Sequence, residues 1–130
     1  MTGHEDHQTV SAWATSAHAA AAPGARLLYA TTTEEFAQAW EPFRKEFNIF
    51  LAEGLPLRIR ASDLAVSLRL GPAAVDRKIV ALRAQASQTA ALFAALGEER
   101  VRQWWSTETF VTGGAARARA PQWGTWRVAA

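Results

Sequence analysis

The sequence predicts a mainly helical α+β fold with a small C-terminal β-hairpin. Three observations carry that expectation. Apolar residues recur at spacings of three and four over residues 36–51 and again over 75–82, the spacing of a helix with one buried face. Pro23-Gly24 and Gly71-Pro72 punctuate the helical stretches. After Ser106 the texture becomes β-branched and aromatic, ending at Gly113-Gly114, as in a strand followed by a turn.

Taken in order, residues 1–7 are expected to fray, and the alanine-rich 8–22 forms a helix stopped by Pro23-Gly24. Residues 25–30 are a short strand or a linker. Thr32 and Glu35 make a capping-box pair for a helix carrying Phe36, Trp40, Phe43, Phe47, Phe50 and Leu51. That helix ends at Gly54, and Pro42 kinks or splits it. Pro56 pins an extended stretch over 55–60. Ser62 caps a helix over 63–69, Leu70-Gly71 turns the chain, and Pro72 opens a second helix that runs to about 86 or on to 96. Residues 98–105 add a helical turn or two. Residues 107–112 then pair with 123–128 as the hairpin.

Composition narrows the function. A chain of 130 residues fits one domain, with a helical core over 47–86. Hydrophobic residues at 49% and charged residues at 20% are enough for a real core and argue against a disordered chain. There are no cysteines, which excludes disulfides, thiolate metal sites and cysteine nucleophiles and suits a reducing cytoplasm. No apolar run approaches the roughly 20 residues of a membrane helix. The N-terminal stretch carries no basic residue and does not read as a secretion signal. His4 and His7 flank Glu5 and Asp6, but two histidines without a third ordered ligand make a poor metal site. No Gly-rich phosphate loop, His-Glu-x-x-His or Gly-x-Ser-x-Gly motif is present. The expectation is a non-enzyme without cofactor or metal.

The charge is unevenly placed. Residues 1–57 carry net −4, residues 58–83 net +4 and residues 84–130 net +2. A basic segment beside an acidic one is the asymmetry of a polyanion binder. Within the basic segment, Leu64 and Leu68 face one way, and Val75, Ile79 and Leu82 form one stripe. Two short helices with these stripes share a core if the turn between them is sharp. Ala65 permits close approach and Leu70 plugs the corner.

This pattern over residues 47–83 resembles the helix-turn-helix of winged-helix bacterial DNA-binding regulators. Arg69 stands where the family carries a turn glycine, with Gly71 two residues later, and helix-like sequence separates the unit from the expected hairpin. The resemblance implies a transcriptional regulator or a plasmid or phage accessory factor. It would bind duplex DNA with some sequence preference, as a homodimer reading two half-sites. The second helix would lie in the major groove, with Arg77 donating twice to guanine. Arg69, Lys78 and Arg83 would hold phosphates, and Arg58 and Arg60 flank the unit to the same end. Arg117 and Arg119 would sit near the hairpin tip, where a basic wing enters the minor groove.

A second reading treats the chain as a helical protein-interaction module. Its contact surface would be the Trp-rich C-terminal half, through Trp104, Trp105, Trp123 and Trp126. Trp13 and Trp40 are expected in the core. Trp104 and Trp105, being adjacent, are expected to point apart on a helix.

Overall fold

The computed structural model describes residues 5–46 and 58–113. It is α+β and mainly helical. The chain clusters into two compact units, Met1–Ala65 with Phe110–Ala130, and Val66–Thr109.

The first unit opens with helix α1, Glu5–Ala21, which already includes part of the stretch expected to fray. Strand β1 (Leu28–Ala30) follows, then β2 (Thr32–Thr33) and helix α2 (Glu34–Glu46). The α2 cap is one residue later than the sequence spacing suggests: Thr33 Oγ1 accepts from the Phe36 amide at 3.1 Å. Phe36, Trp40 and Phe43 follow one another down one side of α2 as tilted ring pairs, with centroids 6.0 Å and 5.2 Å apart. Pro42 lies inside this helix. Strand β3 (Arg58–Ile59) pairs parallel with β2, and a 3₁₀ turn spans Ala61–Asp63.

Strand β5 (Thr107–Thr112) is formed as the β-branched run predicts. Its partner in this unit is β1, antiparallel, with Tyr29 opposite Val111 and Ala30 opposite Phe110. Ile59 and Val111 are fully buried and centre the core. The expected hairpin partner, 123–128, lies outside the described residues, as do Arg117, Arg119, Trp123 and Trp126.

The second unit departs most from expectation. Residues 63–69 are not a helix. The 3₁₀ turn stops at Asp63, Leu64 is extended (φ −71°, ψ 134°), and Val66–Arg69 is strand β4. The stretch Leu64-Ala65-Val66-Ser67-Leu68-Arg69-Leu70 alternates apolar and other residues. A pair four apart, such as Leu64 and Leu68, satisfies a helix and a strand alike. The intervening β-branched Val66 and long-range pairing decide for the strand. That pairing is visible where Leu70 N donates to Ser106 O at 2.8 Å, and β4 neighbours β5 in the sheet. The first helix of the expected helix-turn-helix is therefore absent.

Helix α3 (Pro72–Ala84) begins where Pro72 predicts, with Gly71 as its N-cap. It does not run on to 96. The chain breaks at Gln85 (φ −96°, ψ 47°) and turns through 117° into helix α4 (Ala86–Trp104). Thr89 holds that corner: its hydroxyl reaches back to Leu82 O at 2.6 Å and Gln85 O at 3.1 Å, and the residue is buried. Gly97 interrupts α4 with φ 72°, ψ 157°, a backbone region open essentially to glycine alone. Val75 and Ile79 of α3 pack with Leu96 and Val101 of α4 in the buried core. No single helix among the described residues is long and apolar enough to cross a membrane.

Candidate interaction surfaces

The cations expected to bind DNA divide sharply once their surroundings are known. Lys78 is half-buried, and its Nζ reaches both Glu108 Oε1 and Trp105 O. It ties α3 to the chain after α4 and does not face outward as a phosphate ligand must. Arg83 donates to Glu98 Oε2 at 2.6 Å, with its guanidinium 4.5 Å above the Phe93 ring. A third link joins Arg102 Nη1 to Asp76 Oδ1 at 2.8 Å, while Arg102 Nε lies 3.5 Å from Glu98 Oε1. All three links run from α3 to residues beyond Gly97. In the first unit, Arg60 pairs with Asp63 at 3.2 Å. Arg58 is half-buried, with Nη2 3.8 Å from Glu41 Oε2, and its buried Nε has no hydrogen-bond partner.

Arg69 on β4 and Arg77 on α3 behave differently. Both are exposed, and no ion pair joins either to another described residue. Around Arg77 the outer side of α3 holds Ala73, Val80 and Ala84, all exposed, with Val80 at 69%. Four positions of the expected basic surface are thus engaged by acidic partners within the chain, Arg60 and Arg83 while still exposed, and Arg69 and Arg77 are exposed without such a partner among the described residues.

The tryptophans also correct the sequence reading. Trp104 and Trp105 do not point apart. Trp105 has left the helix (φ −92°, ψ 12°), so the two rings stack with centroids 5.2 Å apart and planes at 30°. Trp40 is half-buried on α2. Trp13, expected in the core, is 70% exposed.

The exposure of Trp13 follows from the way α1 is turned. The residues it lays against its own unit are Gln8, Ser11, Thr15 and His18, each half-buried and spaced by three or four. Thr15 Oγ1 lies 2.5 Å from the Tyr29 hydroxyl, and His18 Nε2 lies 2.8 Å from Ala25 O. The opposite side carries Val10, Trp13, Ala14, Ala17, Ala20 and Ala21, all exposed. An amphipathic helix ordinarily does the reverse. The polar stripe at 8, 11, 15 and 18 is legible in the sequence and was the available signal. It was obscured because the alanines on the other side weigh little as hydrophobes.

No group of three or more His, Asp or Glu among the described residues is arranged to hold a metal ion. No protein-family model matches the chain, and no curated protein or solved structure matches it.

Proposed function

We propose that the protein is a non-enzymatic interaction module whose contact element is α1. The carrying observation is the inverted helix: a tryptophan and a valine stand in water beside four alanines, while the polar stripe is turned inward. Large aromatic side chains left in solvent on a rigid element are the usual anchors of protein interfaces. The test is affinity capture with the intact chain and with its Trp13→Glu variant side by side. The reading expects at least one bound protein, the chain itself included, to be lost with Trp13→Glu and kept with Trp13→Phe. An unchanged set of bound proteins overturns it.

A second reading keeps duplex DNA as the ligand, in the role of a transcriptional regulator or accessory factor. It is favoured by Arg69 on β4 and Arg77 on α3, exposed arginines of the second unit that no ion pair engages among the described residues. The α3 helix has no acidic residue in its first turn, so its N-terminal end is compatible with phosphate. With β4 in place of a supporting helix, this DNA contact would not be that of a helix-turn-helix.

A further inference from the structure

We infer that Glu98 is a built-in competitor for the phosphate of duplex DNA: its carboxylate holds Arg83 in the free chain and gives way when DNA arrives. The inference rests on the DNA reading of α3 and adds a regulation to it. Two cations of α3 are tied to acids beyond Gly97, and Arg83 is the one open to exchange. The Arg83 and Glu98 side chains are 54% and 43% exposed, so a ligand reaches both. Lys78 is half-buried and held a second time by Trp105 O. Glu98 lies outside the basic segment 58–83 and cancels the charge at its end. Arg83 stands six residues along α3 from the exposed Arg77, about 9 Å of helix, so one duplex reaches both.

The carboxylate sits as a phosphate would. Glu98 Oε2 accepts from Arg83 Nη2 at 2.6 Å, and Glu98 Oε1 lies 3.5 Å from Arg102 Nε, so each oxygen faces its own guanidinium. A phosphodiester presents a comparable pair of anionic oxygens to arginine. The far end of Arg102 is taken by Asp76 Oδ1, 2.8 Å from Arg102 Nη1, which leaves Arg83 as the cation to be won. Once Glu98 leaves, Arg83 keeps its place, because its guanidinium stands 4.5 Å over the Phe93 ring. An exposed ion pair contributes little, so exchanging carboxylate for phosphate is nearly balanced. Counterions released from the duplex tip the exchange toward DNA.

The experiment is fluorescence anisotropy of the full chain with a labelled duplex from about 50 to about 200 mM salt. Thermal unfolding beside it establishes that each variant is folded at the assay temperature. Glu98→Gln tightens binding about threefold or more at the lowest salt. It also steepens the fall of log affinity with log salt by about 0.9, one further phosphate being neutralised. Glu99→Gln makes the same charge change one residue on, where the side chain accepts from Gln103, and tightens binding by less than about twofold, as a screened exposed charge. Adding Arg83→Ala to Glu98→Gln removes the gain. An equal gain in Glu98→Gln and Glu99→Gln overturns the inference, as does a gain that survives Arg83→Ala. If wild type binds duplex and Arg77→Ala weakens it while a folded Glu98→Gln does not tighten it, the inference falls and the DNA reading stands. If neither wild type nor Glu98→Gln binds duplex at the lowest salt, both fall.

Discussion

The Tyr29 hydroxyl on β1 lies 2.5 Å from Thr15 Oγ1 on α1. Thr15 in turn donates to Ser11 O at 2.7 Å. A strand residue thus fixes which side of the first helix faces inward, and with it which side faces out. Gly113 leaves room for this ring: a Cβ there would stand 3.2 Å from Tyr29 Cε2.

Removing either hydroxyl should loosen α1. Tyr29→Phe or Thr15→Val is expected to cost about 1 kcal/mol, the net worth of one such hydrogen bond. Amide hydrogen exchange in α1 should rise by several-fold while exchange in α3 stays put. Equal exchange in α1 before and after the change would show that the pair does not orient the helix.

Neighbouring cations on α3 should respond in opposite ways. Arg77→Ala is expected to leave stability within about 0.5 kcal/mol, as for an exposed residue. If duplex DNA is a ligand, it should also weaken binding and reduce its dependence on salt. Lys78→Ala removes the link to Glu108 and Trp105 O. It should lower the unfolding midpoint without changing DNA affinity. Fluorescence anisotropy with a labelled duplex at two salt concentrations, beside thermal unfolding, reads both. DNA binding lost with Lys78→Ala in a fully folded variant contradicts the placement.

Gly97 should not accept a side chain. An added Cβ meets nothing within 4 Å, so the penalty is conformational and not steric crowding. At φ 72°, ψ 157°, Gly97→Ala is expected to cost about 1–3 kcal/mol, measured by denaturant unfolding. A neutral substitution would mean that α4 runs through this point unbroken.

The link between α3 and the second half of α4 should weaken in acid. The hydrogen bond from Arg83, against an opposing desolvation and with the charges of Arg83 and Arg102 adding to it, holds the Glu98 carboxyl below its ordinary value of 4.5. A carboxylate with a depressed folded-state pKa stabilises fully above its unfolded value, and that contribution is lost as pH falls through the folded one. The difference in unfolding midpoint between wild type and Glu98→Gln should be present at neutral pH. It should shrink from about pH 4.5 downward and also shrink with added salt. A difference that persists in acid assigns the effect to packing.

The core is the simplest test of the second unit. Ile79 is 4% exposed, and Ile79→Ala is expected to cost about 2–5 kcal/mol. Val80→Ala, one residue on and 69% exposed, should cost little. Reversal of that order would mean that α3 is rotated from its position here.

The apolar pairs Val75–Ile79 and Leu64–Leu68 show where legibility ends. Val75 and Ile79 were readable as a buried stripe because a helix with proline at its first position has one dominant period. Leu64 and Leu68 were not, because four is a multiple of two and a seven-residue stretch offers no further repeat to separate helix from strand. The charged residues were legible as charges but not as surface. Glu98 and Glu108 lie 15 and 30 positions from Arg83 and Lys78, beyond any local rule. Trp13 was misplaced for a different reason. Aromatic residues are usually buried, and only the hydrogen bonds of Thr15 and His18 to groups on other segments show that α1 turns its polar side inward.

By itself the sequence determined the local elements: α1 and its stop at Pro23, α2 with its aromatic side, α3 opening at Pro72, the interruption at Gly97 and the strand at 107–112. Backbone propensity, proline and glycine act within a few residues, so these features need no knowledge of the rest of the chain. Tertiary structure alone decided that 66–69 is a strand, that β5 pairs with β1, and which cations and which side of α1 meet solvent. Each of those outcomes depends on a partner distant in sequence, and a pairing energy between distant residues leaves no mark on the local pattern of either.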